Sequence, residues 1–460
     1  MQGSRSTLTA ALVVFAIISS VDATVLFRSR DRHLGVHEDH FDKGVSLYEQ
    51  GSMSSGSRPM VFRPPGYPVF VAATLAVRDA ALTVTGPLLG DVRPTGGRRV
   101  AVLAAHAALL GALGGFIVWF AIGRTGTLVA AACAVAAACN PLLLLLAGHV
   151  SYELLHLVLV TIATLILVKR AGEGEPGNAA MFGNGLLWGA ATLVKSVTLV
   201  LPAFILLWVS LHYGVRRAAK KTAFFAAGLL VVVAPYTLRN YVVSDRFIPV
   251  NEQATFVLWA TSLERIPSGA KYQHWVKIWF TSAMKTYTEV TGASEYSLPI
   301  FEDHVLELSD RFGVMALENL RRDPAVYVQN ALHNGVMFAV DSPASYFFER
   351  YAWPHDARAA RFVAGLALGL MTLIAIIAMA VGCLRRDPRC TLVLALFAMM
   401  WAAHALTFLE ARYLYIKLPT IVAGFVLATV AADGVPRWRR GAAGVATLTA
   451  LLSIAGLFAL

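Results

Sequence analysis

Apolar stretches long enough to cross a lipid bilayer occupy most of this chain, and they leave little room for a soluble fold. A spanning helix needs roughly 20 apolar residues, because in lipid only a helix or a closed barrel satisfies its own backbone. Candidate spans fall at 8–26, 99–121, 127–147, 152–169, 184–197, 198–212, 222–238, 359–384, 390–408, 413–432 and 441–459. The stretches 184–197 and 198–212 are short; together they form one apolar run broken at Lys195-Ser196. Only 15% of the 460 residues are charged, against about 25% in a soluble domain. The pattern predicts an all-α polytopic membrane protein with about 11 transmembrane helices. A large first outer loop and a small outer domain, α or mixed, complete it.

The net charge of +11 does not point to nucleic acid, because the basic residues sit in short runs beside apolar segments. Topology and anionic headgroups explain such runs. Cys133, Cys139, Cys383 and Cys390 lie in or at the ends of apolar segments, so no disulfide framework or zinc spacing is indicated. Lys169-Arg170, Arg216-Arg217 with Lys220-Lys221, Arg385-Arg386 with Arg389, and Arg437 with Arg439-Arg440 mark the cytoplasmic side. Residues 27–98, 148–151, 239–358 and 409–412 then face outward, and 184–212 is a tight hairpin with Lys195 near the outer surface. A competing reading takes Arg5, the first apolar stretch and Val21-Asp22-Ala23 as a signal peptide. The stretch 67–77 is too short to span and is expected along the outer interface or re-entering it. Three regions follow: a transmembrane module at 1–238, an outer cap at 239–358 and C-terminal helices at 359–460. In the cap, Thr255 to Ala260 reads as a strand or buried turn. Phe301 to Leu320 has helical spacing, and Asp323-Pro324 opens a second helix through about Val340.

The candidate chemistry lies on the outward side. Glu38 and Asp39 open the first loop, and a carboxylate there can take a proton from an attacking hydroxyl or amine. Arg63 precedes Pro64-Pro65, which restrict its backbone and aim a guanidinium suited to phosphate. Lys195 interrupts the apolar run, where a charge is costly. Arg239 ends a span in Pro235-Tyr236-Thr237-Leu238-Arg239-Asn240-Tyr241. Glu153 starts one helix, while Glu410 and Arg412 share a short outer turn. Each also has a plain reading, as a solvated acid, a headgroup anchor or a local ion pair. Acids and cations converging on one membrane face fit transfer from a lipid phosphate, with the cations stabilising the leaving group.

The chain resembles the bacterial branch of the dolichyl-phosphate-mannose protein mannosyltransferase group (glycosyltransferase family 39). These are GT-C fold, polyprenyl-phosphate-sugar-dependent glycosyltransferases, related to the lipid A aminoarabinose transferases. The resemblance runs along about 30–440. It is carried by the acidic loop ending in Glu49-Gln50-Gly51, by Arg63-Pro64-Pro65-Gly66-Tyr67-Pro68 and by Asn140-Pro141 with Ser151-Tyr152-Glu153. Gly189-Ala190-Ala191-Thr192-Leu193-Val194-Lys195, Pro235 to Tyr241 and Glu410-Ala411-Arg412-Tyr413 complete it. The resemblance implies a catalytic carboxylate in the first outer loop, a polyprenyl-phosphate sugar donor and inversion at the sugar carbon. Phe41 stands where the group has Tyr, which favours Glu38 over Asp39 as the base. Glu153 matches a second acid. Some members hold a divalent metal and others do not; no cofactor is firmly implied here.

The expected protein is an inverting glycosyltransferase of the bacterial cytoplasmic membrane. Glu38 or Asp39 would be catalytic, Arg63, Lys195, Arg239 and Arg412 would hold the donor phosphate, and Glu153 and Glu410 would serve the acceptor side. Its partners would be membrane lipid, the lipid-linked sugar and a glycan, lipid or protein acceptor. A flippase of lipid-linked sugars, or an envelope glycan polymerase or ligase, is the alternative.

Overall fold

A computed structural model describes residues 2–29, 38–54, 56–89, 97–148, 150, 152–266, 272–340, 358–406, 417–431 and 444–454. The described residues form helices and no strands. In chain order these are α1 (Gln2–Ser29), α2 (Glu38–Gln50), α3 (Gly66–Leu89), α4 (Gly97–Thr125), α5 (Thr127–Ala138), α6 (Pro141–Gly148) and α7 (Tyr152–Glu173). They continue as α8 (Asn178–Val194), α9 (Leu201–Tyr213), α10 (Val215–Ser244), α11 (Ala254–Ser262), α12 (Tyr272–Thr291), α13 (Leu298–Asp303), α14 (Val305–Arg322) and α15 (Pro324–Val340). The last are α16 (Arg358–Leu384), α17 (Pro388–Ala405), α18 (Leu418–Ala431) and α19 (Gly444–Ile454).

Among the described residues, seven helical segments are long and apolar enough to cross a membrane: Ser6–Phe27, Gly97–Gly123, Tyr152–Glu173, Ser196–Tyr213, Val215–Ser244, Leu366–Leu384 and Pro388–Ala405. Shorter apolar helices accompany them, α5, α18 and α19 among them. The candidate span 127–147 is two helices, because Pro141 lacks the N–H that would answer the carbonyl of Ala137. The run 184–212 breaks where the sequence places Lys195. That residue is extended (φ −148°, ψ 118°), and a 3-10 turn over Ser196–Val200 follows it. Helix α7 is the bundle's centre, with Leu154, Leu157, Val160, Leu165 and Val168 all buried. Helices α8 and α10 approach backbone to backbone. A Cβ on Gly185 would lie 2.1 Å from the Phe225 carbonyl, and one on Gly228 would lie 2.1 Å from that of Phe182.

The polar segment between α10 and α15 folds into its own small core. Trp259 packs on Phe312 (ring centroids 4.5 Å), with Leu308, Ala316 and Tyr287 buried around them. Here the structure corrects the sequence reading. Thr255 to Ala260 belongs to helix α11, not to a strand, because its Trp259–Ala260 face is claimed by α14. The expected helix over 301–320 is α14 preceded by the short α13, with a break at His304. Helix α15 begins at Pro324 as the Asp323-Pro324 pair predicts. It then lies along α17: Tyr327 Oη donates to the Leu406 carbonyl (2.6 Å) and Trp401 Nε1 to that of Gly335 (2.9 Å). Lys417 Nζ donates to the Phe338 carbonyl (2.8 Å) near the end of α15, where a cation suits the helix dipole. Helix α3 contains the stretch 67–77 but extends to Leu89, and it is not among the seven segments.

The described basic markers gather at the end of the bundle away from this cap, while Arg437, Arg439 and Arg440 lie outside the described residues. Arg217 and Lys221 reach Glu175 (3.1 and 3.4 Å), and Trp208 Nε1 donates to the Pro388 carbonyl (2.8 Å). Helix α17 is capped there by Asp387, whose side chain accepts from the Arg389 N–H.

Candidate functional site

The site is assembled by the chain between α2 and α3. Helix α2 is amphipathic and buries His40, Phe41 and Lys43 on one face. Asp39 lies beside that face. Residues 51–65 then return to α3, and Pro64-Pro65-Gly66 sets the return. A Cβ on Gly66 would fall 2.7 Å from the Leu193 carbonyl, so only glycine lets α3 start against the end of α8. That contact brings the loop beside Lys195.

Asp39 and Arg63 meet directly. Arg63 donates to Asp39 Oδ2 from Nε and from Nη2, each at 2.8 Å, and its guanidinium lies 4.8 Å from the Phe62 ring centroid. The other carboxylate oxygen, Asp39 Oδ1, is buried and has no hydrogen-bond partner among the described residues. One oxygen is thus anchored and the other is bare. Tyr236 Oη donates to the Arg63 carbonyl (3.4 Å) and fixes the loop from α10.

Arg239, near the end of α10, turns toward the loop. Its Nη1 donates to the Met60 carbonyl (2.6 Å) and to Asn240 Oδ1 (3.1 Å). It therefore holds the loop that carries Arg63. Lys195 joins the site through an aromatic chain. Its ammonium lies 5.8 Å from the Tyr152 ring centroid, and Tyr152 meets His40 edge-on at 4.6 Å. Glu153, next in sequence, is buried (2% exposed), with both carboxylate oxygens lacking a partner among the described residues. It lies within electrostatic range of Tyr67 and His106, on the side of α3 and α4. There Tyr67 Oη meets His106 Nε2 (3.1 Å), and His106 Nδ1–H donates to the Ala147 carbonyl (2.6 Å), so Tyr67 is the donor to Nε2. Glu38 begins α2, but its side chain lies outside the described residues, as do Glu410 and Arg412.

Two contributors were not apparent in the sequence. Tyr296 lies within electrostatic range of both Arg63 and Asp39, and partial burial pushes its phenol up to about 12. Lys43 forms an ion pair with Glu302 of α13, both buried, and Gly56 N–H donates to Glu302 Oε2 (3.3 Å). Asp303 accepts from Ser57 Oγ (3.0 Å) and from the Arg58 N–H (2.8 Å). The cap is thereby fastened to the loop that carries the site. Among the described residues no three His, Cys, Asp or Glu side chains converge as metal ligands would.

These features define a multi-span helical membrane protein with a carboxylate, cations and aromatic rings gathered under a helical cap. No protein-family model matches the chain, and no curated protein matches it. Among solved structures it is similar to ArnT from Cupriavidus metallidurans. The form bound to undecaprenyl phosphate is 17% identical with a TM-score of 0.39, over 90% of this chain and 77% of that one. The apo form is 16% identical with a TM-score of 0.40, over 91% and 77%.

Proposed function

We propose that this chain is an inverting glycosyltransferase that moves a sugar from a polyprenyl phosphate to an acceptor hydroxyl or amine. The observation that carries this reading is Asp39, with Oδ2 held by Arg63 and Oδ1 without a hydrogen-bond partner among the described residues. A general base needs a fixed position and one open oxygen. In this reading Asp39 acts as the base, one of the two acids that open the first loop. The acceptor's proton passes to Asp39 Oδ1 as its oxygen or nitrogen bonds to the sugar carbon. The bond from that carbon to the phosphate oxygen breaks, and its electron pair leaves with the phosphate. The leaving group gains one negative charge, which Arg63 and Lys195 offset. Arg239 positions the loop, Tyr296 supplies a neutral donor, and the cap shields the site from water. No step is assigned to a metal.

The cap end is taken as the outer face of a bacterial cytoplasmic membrane, because Arg217, Lys221 and Arg389 gather at the other end. The test is turnover of a polyprenyl-phosphate sugar by purified Asp39→Asn and Glu38→Gln enzymes, with donor binding measured in parallel. Asp39→Asn is expected to bind donor while turnover falls by about 10²–10⁴. Near-normal turnover by Asp39→Asn would contradict the assignment of the base, and near-normal turnover by both variants would remove the first-loop acids from the reaction altogether. So would a wild-type protein that moves the lipid-linked sugar across vesicles without cleaving it.

A further inference from the structure

Helix α15 is turned inside out relative to a helix in water. Its buried face carries Asn330 and Asn334 together with Gly335 and Phe338. Asn330 is answered there by backbone: its Oδ1 accepts from the Ile266 N–H (2.9 Å), and its Nδ2 donates to the carbonyls of Thr261 (2.8 Å) and Glu264 (2.7 Å). The opposite face carries Val328, Leu332 and Val336, which are 53%, 63% and 58% exposed. They stand four residues apart and so form one row. The helix before it, α14, is the ordinary case. It buries Leu308, Phe312 and Ala316 and exposes Asp310, Arg311 and Glu318. Polar side chains turned inward and branched apolar ones turned outward suit a surrounding medium of hydrocarbon rather than water.

The packing of α15 on α17 sets its depth. Helix α17 is one of the segments able to span, and it runs from Asp387 and Arg389 at the basic end toward the cap. Tyr327 meets Leu406, just past the end of α17. Gly335 lies against Trp401 and Ala405, where a Cβ would fall 3.0 and 3.3 Å from their side chains. Phe338 reaches lower, with its ring between those of His404 (centroids 5.3 Å) and Phe397 (6.0 Å). At about 1.5 Å per residue, His404 and Phe397 precede Leu406 by roughly 3 and 13 Å of helix. Helix α15 therefore runs antiparallel to α17 and passes below the cap-side end of a spanning helix. Near its own end the Phe338 carbonyl accepts from the buried Lys417 Nζ (2.8 Å), as a helix end surrounded by hydrocarbon requires. Trp401 and Leu406 of this part of the bundle are themselves 40% and 55% exposed. Gln329, exposed in the first half of α15, falls on the headgroup side of Leu332.

We propose that the second half of α15 is inserted into the leaflet on the cap side, with lipid acyl chains covering Leu332 and Val336 and headgroups beside Val328. Helix α15 then belongs to the membrane part of the molecule and not to the outer cap. The inference is independent of the sugar-transfer reading, because it uses only the packing of α15 on a spanning helix. The test is nitroxide labelling of Val328→Cys, Leu332→Cys and Val336→Cys, each in a Cys383→Ser background of the full chain in lipid nanodiscs; Cys133, Cys139 and Cys390 are buried. Asp310→Cys on α14 serves as the water-facing reference. Power saturation compares collisions with oxygen, which concentrates in hydrocarbon, and with a water-soluble nickel chelate. The ratio of oxygen to nickel accessibility is expected to exceed the Asp310→Cys value several-fold at Leu332→Cys and Val336→Cys, and to rise from 328 to 336. A ratio at 332 and 336 equal to that of the reference would overturn the proposal. So would labels shielded from both reagents, since a second copy or another protein would then cover the face.

Discussion

At the residue scale the site rests on a division of labour within one carboxylate. Arg63 claims Oδ2 of Asp39 with two nitrogens, and in the proposed reaction Oδ1 receives the acceptor's proton. A lysine at 63 would keep the charge but lose the fork. Arg63→Lys is therefore expected to retain donor binding within a few-fold while turnover falls about tenfold or more. Steady-state kinetics separates the two effects, and an unchanged turnover would remove Arg63 from the orienting role. The sequence singled out each residue, Arg63 because Pro64-Pro65 constrains it and Asp39 as one of two acids opening the first loop, but not their contact. The choice between Asp39 and Glu38 was not legible there, since neighbouring acids on one helix start differ only in what each of them meets, and the Glu38 side chain lies outside the described residues. Tyr296 was invisible for a similar reason: nothing in its local sequence reports proximity to residues more than two hundred positions away.

At the element scale the fastening of the cap matters most. Lys43 on α2 and Glu302 on α13 form a buried pair, so removing either partner leaves a charge stranded. Glu302→Ala is expected to cost about 3–5 kcal/mol in stability. A substantial part should return in the double variant Lys43→Met with Glu302→Ala. Thermal unfolding of the four proteins tests this, and strictly additive losses would contradict the pairing. Next to it, the Arg58 N–H and the Ser57 hydroxyl hold the Asp303 carboxyl below its ordinary value of 3.8. A depressed carboxylate contributes its stability above the unfolded value and loses it as pH falls through the folded one. The loop at 51–65 should therefore stay docked from pH 8 to pH 5 and loosen only in stronger acid, below the ordinary aspartate range. Hydrogen exchange across that pH series measures it, and loosening near pH 6 would point to another group. Nothing in the sequence singles out Lys43. Its burial depends on α13, far away in the chain. The same limit explains α11, where short apolar runs read equally as strand or helix until α14 supplies the packing partner.

At the scale of the whole molecule, hydropathy made the helical membrane architecture legible, because lipid permits so few backbone solutions. The break at Lys195 was legible too, as a charge in an apolar run. The division of 127–147 into α5 and α6 followed from Pro141, which hydropathy alone ignores. The polarity of the bundle is consistent across its length: the cap and the Asp39–Arg63 wall occupy one end, and the paired basic residues around Glu175 and Asp387 occupy the other. The most direct measurement is photo-crosslinking of a diazirine-bearing polyprenyl phosphate to the purified protein in lipid nanodiscs, with adducts mapped by mass spectrometry. Adducts are expected on peptides from 38–67, from the start of α7 and from the end of α10, and Asp39→Asn should retain them. Adducts confined to the basic end, around 169–178 and 214–221, would contradict the assignment of the lipid phosphate to the capped end.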